Sequence, residues 1–331
     1  MSDANTAPQP LWKPDPPGKS VAVAFQPSWT IIIPARPGDA QPLAVAAAKR
    51  LDFPKDNLEI IVARGRQPSV QRNAALREAK GEFIYFLDDD SLPDPANLQR
   101  AQAHFKEQQV VMVGGPNVCP PDAPALEQAF AATMGNKLAF GPSAARYAPL
   151  GTVRESSEKE LILCNLAARK GALLELGGFD EALYPNEENA LMDDLQKRGG
   201  KLLYDPAFVV HRRPRGTLKA FVKMLMTYGR GRAEQFRLHP TAGSGLNFVP
   251  PLFVVYLLAL AFLPGWLALP LLAYAVIVLA GAGFRLFTVA PLIVATHIFY
   301  GLGFWRGLFT SLKPGAPSRA AQVTLERISP E

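Results

Sequence analysis

The chain has 331 residues and a formal net charge of +6, long enough to bury a sizeable core in one large domain or two smaller parts. Its two cysteines, Cys119 and Cys164, cannot build a disulfide framework and match no zinc-binding spacing. That excludes a disulfide-stapled secreted scaffold and favours a reducing compartment.

Residues 1–27 lack the apolar centre of a secretory signal, are rich in proline and read as a disordered tail. From Trp29 the pattern alternates between short apolar runs and helical stretches. "WTIIIP" reads as a strand, "DAQPLAVAAAKRL" as a helix, "LEIIVA" as a strand and "SVQRNAALREAKG" as a helix. "FIYFL" is a third strand, "PANLQRAQAHFKEQ" a helix with Pro95 in its first turn, and "VVMVG" a fourth strand. Unbroken apolar runs indicate strands covered on both faces, so residues 28–215 are expected to form an α/β domain with a mostly parallel, Rossmann-like sheet. Such sheets bind ligands beyond the carboxyl ends of their strands.

The third strand runs straight into Asp88, Asp89 and Asp90. Adjacent ionised carboxylates repel, and a hard divalent cation such as Mg2+ or Mn2+ between them relieves the repulsion and clamps a diphosphate. The plainer use of Asp89, Asp90 or Ser91 is to cap the helix that starts near Pro95. Further on, Asn186 stands where it can cap a helix running to Arg198, which places Glu187 and Glu188 in the first turn. The helix dipole there favours their ionised, proton-accepting form, although most first-turn glutamates only complement that dipole.

Residues 211–237, "HRRPRGTLKAFVKMLMTYGRGRAEQFR", are dense in arginine and lysine, and residues 216–240 are expected to form an amphipathic helix at a membrane interface. No charged residue occurs from Pro240 to Phe284, nor from Leu286 to Trp305. A crossing needs roughly 20 apolar residues, so residues 241–312 predict two or three transmembrane helices, with "LPGW" as the first turn and an interfacial or re-entrant third segment as the variant. The basic stretch before them faces the cytoplasm, and residues 313–331 read as a polar tail. A channel or transporter is disfavoured, since the uncharged segments carry no intramembrane acid or base apart from His297. The basic stretch adjoins a membrane and carries no recognition motif, which argues against nucleic acid as a partner.

Taken together, "VQRNAALREAKGEFIYFLDDDSLPDPANL" and the stretch at residues 165–206 with its Gly-Gly-Phe-Asp-Glu run resemble family 2 glycosyltransferases, the inverting enzymes of the GT-A fold, over roughly residues 29–236. Arg72 and Asn73 match the family's Arg-Asn, and Asp88 and Asp90 its Asp-X-Asp motif. The resemblance implies Mn2+ or Mg2+ on Asp90 and Asp88, with His211 as a further ligand. It implies donor contacts from Pro34, Arg36, Arg64, Arg72, Asp88, Asp89, Arg230 and Arg232. The family's acidic pair normally reads Glu-Asp and falls here on Glu187 and Glu188, so Glu188 is the expected base, with Glu187 as its alternate. The implied reaction is one displacement at the anomeric carbon, with inversion.

Two departures bear on the donor. Arg36, Pro37 and Gly38 stand where family members carry a polar pair after the first strand, and Ala63 with Arg64 stand where an Asp usually contacts the base. UDP-sugar is therefore the default donor, with GDP or dTDP sugars open. The arrangement is most similar to bacterial exopolysaccharide and capsule glycosyltransferases, which implies a polyprenyl-linked acceptor and a multi-pass protein of the cytoplasmic membrane with its catalytic domain in the cytoplasm. The competing readings are a polyprenyl-phosphate monosaccharide synthase and a non-catalytic nucleotide-sugar-binding protein of the same fold.

Overall fold

The computed structural model describes residues 28–181, 187–238, 240, 242–311 and 323–331. The expected tail at 1–27 and the expected cap Asn186 lie outside the described residues.

The first half follows the alternation in the sequence: β1 (Trp29–Ala35), α1 (Leu43–Lys49), β2 (Leu58–Arg64), α2 (Pro68–Glu78) and β3 (Phe83–Leu87). β1 lies between β2 and β3, parallel to both, with Ile31 opposite Ile60 on one side and Tyr85 on the other. Because side chains alternate along a strand, Trp29, Ile31 and Ile33 pack with Val45 and Ala48 of α1, and Ile32 packs on the opposite face with Ala75 and Leu76 of α2. Burial on both faces is why these runs are apolar throughout, each large side chain contributing about 1.5–3 kcal/mol. Pro34 is accommodated because the pairing of β1 with β3 ends at Ile32, so its missing N–H leaves no ladder bond unmade.

The chain continues through β4 (Leu92–Pro93), α3 (Asn97–His104), β5 (Val110–Gly114), β6 (Asn117–Val118), α4 (Ala125–Met134) and α5 (Lys137–Phe140). Next come β7 (Arg154–Glu155), β8 (Asn165–Arg169), α6 (Lys170–Glu175), α7 (Glu187–Lys197), β9 (Lys201–Tyr204) and β10 (Val210–His211). Four helical elements follow, α8 (Leu218–Leu238), α9 (Val249–Ala259), α10 (Leu269–Ala282) and α11 (Leu286–Phe309), and then β11 (Thr324–Ile328). The main sheet has eight strands in the order β11-β2-β1-β3-β8-β5-β9-β7. β1, β2, β3, β5 and β9 run one way, and β7, β8 and β11 run against them. A second sheet, β4-β10-β6, stands beside the carboxyl end of β3.

Two features differ from expectation. Residues 324–328, inside the segment read as a polar tail, form an edge strand antiparallel to β2, with Thr324 opposite Arg64 and Ile328 opposite Ile60. Ion pairs fix it there, Arg64 Nε to Glu326 Oε1 at 2.6 Å and Arg327 Nε to Glu59 Oε1 at 3.0 Å. Its apolar residues are only Leu325 and Ile328, too few for a period to be read.

The apolar region also differs. The "LPGW" turn falls where expected, between α9 and α10, but α9 has 11 residues and α10 has 14. At 1.5 Å per residue they measure about 16 and 21 Å, against roughly 30 Å of hydrocarbon. One helical stretch among the described residues, Gly265–Phe309, is long and apolar enough by length and composition to cross a membrane. It is itself broken at Gly283, whose φ is +52°.

Candidate active site

The acidic turn is closed by its own serine. Ser91 N–H donates to Asp88 O at 3.1 Å, the Asp88 N–H donates to Ser91 Oγ at 3.1 Å, and Ser91 Oγ–H donates to Cys164 O at 3.2 Å. Ser91 thus holds the turn instead of capping α3, whose N-cap residue is Ala96. Beneath the turn a buried polar network locks β3 to its neighbours. Tyr85 O–H donates to Asn165 Oδ1 at 2.7 Å, Asn97 Nδ2 donates to Tyr85 Oη at 3.0 Å and to Val209 O at 2.8 Å, and Asn165 Nδ2 donates to Phe208 O at 2.6 Å. A fully satisfied network of this kind fixes one geometry.

Arg72, buried on α2, ties the two acidic stations together. Its Nη2 donates to Asp88 Oδ1 at 2.9 Å and its Nη1 lies 3.6 Å from Glu187 Oε1 in the first turn of α7. Asn73 acts differently, as a latch on the Gly-Gly-Phe-Asp-Glu turn. It accepts from Phe179 N–H and donates to Phe179 O, both at 2.8 Å, and donates to Glu181 Oε1 at 3.0 Å. Gly178 has φ +85°, and a Cβ there would lie 2.4 Å from Asn73 Oδ1, so a glycine is required.

Arg212, unmarked in the sequence reading, is the second cation at the turn. Its Nη1 lies 3.2 Å from Asp88 Oδ2, and its Nε donates to Asp90 Oδ1. Partial desolvation and then the charges of Asp90 and Asp88 push the Asp89 carboxyl above its usual value. His211, one residue earlier on β10 and opposite Leu92 of β4, has its Nδ1 buried with no hydrogen-bond partner among the described residues. No three His, Cys, Asp or Glu side chains converge as a ready-made metal site among the described residues.

The other expected contacts scatter. Pro34 is inside β1, and Arg36 is exposed just beyond it. Arg64 is committed elsewhere: besides Glu326 it donates to Asp39 O at 2.9 Å and to Arg36 O at 3.3 Å. Arg230 and Arg232 sit on α8, Arg230 Nε 3.4 Å from Glu234 Oε1 and Arg232 donating to Gln235 Oε1 at 3.0 Å. Arg146, also missed, is half-buried and donates to Asn189 Oδ1 at 2.9 Å and Lys159 O at 3.1 Å. Burial and then the charge of Arg232 depress its pKa, while Glu188 acts in the opposite sense, so α8, Arg146 and the start of α7 converge. The repeated arginines of "HRRPR" were a usable signal for Arg212; for Arg146 there was none.

Behind the glycine turn lies a cavity of about 460 Å³ lined by Asn73, Arg77, Phe179, Asp193 and Lys197 among others. Burial, with Glu158 adding its charge, pushes Asp193 from 3.8 up to about 6. The folded chain therefore holds a proton between these values that the unfolded chain releases, and stability falls as pH rises through about 6. Asp193→Asn is expected to melt above the parent at pH 8, with the difference vanishing by pH 4, in a pH series of thermal melts.

Residues 31–136 match the model of glycosyl transferase family 2. The pre-mycofactocin glycosyltransferase of Mycobacterium tuberculosis is 26% identical over 173 residues, which is 52% of this chain and 36% of that protein. The chain thus spans about a third of the length of this curated relative. The mannosyltransferase PcManGT from Pyrobaculum calidifontis, solved in complex with GDP-Man and Mn2+, superposes with a TM-score of 0.57 over 86% of this chain and 88% of its own, at 17% identity. That likeness shows the shared GT-A fold.

Proposed function

We propose that the chain transfers a sugar from a nucleotide-diphosphate donor to a lipid-linked, polyprenyl-bearing acceptor at the cytoplasmic face of a membrane, in polysaccharide assembly, inverting the anomeric centre in one displacement. The observation that carries this is Arg72, which contacts both Asp88 and Glu187 and so joins the acidic turn to the first turn of α7 at the ligand-binding edge of the sheet.

The residues fit a divalent cation. Two carboxylates whose mutual repulsion is relieved by positive charge face Arg212, and the residue before it, His211, has a buried Nδ1 that finds no hydrogen-bond partner among the described residues. Asp88 and Asp90 would hold it, with His211 as a further ligand and water and phosphate completing the shell. When bound, it supplies positive charge against the departing diphosphate. Arg212 now occupies both carboxylates, and once displaced its guanidinium is free to take diphosphate oxygens in a charge-assisted pair. Arg72 keeps Asp88 oriented. Glu188, half-buried beside Arg146, accepts the proton of the acceptor hydroxyl, while Glu187 is held by Arg72. Arg232 is placed to meet the phosphate of a lipid-linked acceptor.

The Pyrobaculum enzyme's GDP-Man and Mn2+ make GDP-mannose a donor to test beside UDP and dTDP sugars. The deciding measurement is a thermal-shift screen of nucleotide sugars with and without Mn2+. One nucleotide class should stabilise the protein, and only when Mn2+ is present; no stabilisation by any of them overturns the donor assignment.

A further inference from the structure

We propose that the apolar helices insert into a single leaflet, so that the chain is monotopic and neither α9, α10 nor α11 crosses the bilayer. The inference rests on the membrane contact proposed above and specifies its geometry.

Among the described residues α11 is the one apolar helix with sufficient length, 24 residues or about 36 Å. Both of its ends, however, are tied to the water-facing part of the molecule. Near its start, Asn136 Nδ2 donates to the O of Gly281 in the last turn of α10 at 2.8 Å, and midway along it the His297 ring meets Leu138 O at 3.0 Å. At its far end, Arg237 donates to Gly307 O at 3.1 Å and to Thr310 O at 2.5 Å. A spanning helix has its ends on opposite sides of the membrane, whereas this one lies along the domain.

Its second half is moreover in backbone contact with α8. A Cβ on Gly303 would stand 2.3 Å from Met226 O, one on Gly307 2.4 Å from Arg230 O, and one on Gly229 of α8 2.1 Å from Tyr300 O. α8 carries Lys219, Lys223, Arg230, Arg232, Glu234 and Arg237, a set far too costly to place in hydrocarbon. α8 also docks on the domain, Phe221 stacking on Phe130 of α4 with centroids 4.3 Å apart.

The exposed apolar surface has the matching shape. It runs along α10 and over both turns that flank it: Phe262 is 90% exposed and Trp266 67% at one end, Leu272 65% and Val276 66% along the helix, and Phe287 87% at the other end. α10 is uncharged on every side and buried only at Val278 and Ala282, a surface that fits the acyl region of a leaflet and not water. Lipid is the occupant these residues fit, because uncharged surface from Pro240 to Phe284 adjoins the basic residues of α8, which suit anionic headgroups.

Connectivity gives the same result independently. β11 pairs with β2 residue by residue, and strands cannot pair across a bilayer, so the chain returns to the side it left and crosses an even number of times. With α11 held along α8, α10 and the helical turn Gly265–Ala268 before it could cross only as a pair with α9, whose helical stretch Gly245–Ala259 is too short, so that number is zero.

The test uses the full chain in sealed vesicles of mixed zwitterionic and anionic lipid, in a Cys119→Ser, Cys164→Ser background. Single cysteines at the exposed positions Phe262, Trp266, Leu272 and Phe287 are probed with a membrane-impermeant maleimide from each side, and with lipids carrying quenchers at graded depth. Expected are background labelling from the far side at every position, quenching by near-leaflet probes only, and same-side labelling of Ser329→Cys and Lys106→Cys. Far-side labelling at any of the four positions overturns the monotopic arrangement and leaves the glycosyltransferase reading intact. A chain that remains in the supernatant, alone or as a dimer closed over these faces, overturns the lipid assignment and with it the membrane-bound acceptor.

Discussion

Asp90→Ala is expected to abolish Mn2+-dependent binding of the donor nucleotide and to lower kcat/KM by about 10²–10³-fold, the scale seen when one preorganised electrostatic contact to a developing charge is removed. Asp90 is half-exposed, and its recorded side-chain partner is Arg212, so its loss leaves the buried network of Tyr85, Asn97 and Asn165 untouched. The fold should therefore survive, with a melting temperature close to that of the parent. Titration with Mn2+ alone adds a readout independent of turnover. Arg212→Gln vacates the carboxylates and should bind Mn2+ more tightly than the parent in the absence of nucleotide. Asp90→Ala should bind it more weakly. Equal Mn2+ affinity in all three proteins would remove the acidic turn from the metal assignment.

Glu188→Gln should lower kcat by about 10²–10⁴-fold, the usual contribution of a general base, with donor affinity unchanged. Glu187→Gln should behave differently. Glu187 is 3% exposed and pairs with Arg72, which in turn orients Asp88. Neutralising it leaves Arg72 less compensated in a buried position, at a cost of about 1–3 kcal/mol in stability, and weakens donor binding through Asp88. The paired outcomes separate chemistry from support. If Glu187→Gln removes turnover while Glu188→Gln keeps it, the proton acceptor moves one residue toward the N-terminus of α7.

The part of the fold legible in the sequence was the part governed by local pattern. β1, β2, β3 and β5 fall on the four apolar runs because each is buried on both faces and no polar position interrupts them. β8 was not legible as a strand. "NLAAR" is short, starts with Asn165 and owes its place between β3 and β5 to both neighbours and to the hydrogen bonds of Asn165. The two-residue strands β4, β6 and β10 are below the length at which a period exists.

For the site, types of residue were readable and partnerships were not. The sequence marked Arg72, Asp88 and Glu187, but that one guanidinium contacts both carboxylates depends on how α2 and α7 pack on the same face of the sheet. Arg64 shows the reverse case. Its position at the end of β2 suggested a donor contact, yet its partner is Glu326, 262 residues away, on an element with no readable signature. The apolar run before Arg285 was long enough for two crossings, and its division into an 11-residue and a 14-residue helix rests on turns at "LPGW" and Gly283 whose geometry composition does not give.

β11 also sets the order in which the molecule can be completed. The ribosome delivers every apolar helix before it delivers Thr324–Ile328, so β2 waits with an unpaired outer edge while α8 through α11 find the domain and the lipid surface. An open edge of "LEIIVA" is a hazard for sticking to other nascent chains. Glu59 and Arg64, the charged members of β2, interrupt that edge in the interval and later become the ion-pair partners of Arg327 and Glu326. The same residues that guard the sheet during synthesis thus seal it afterwards.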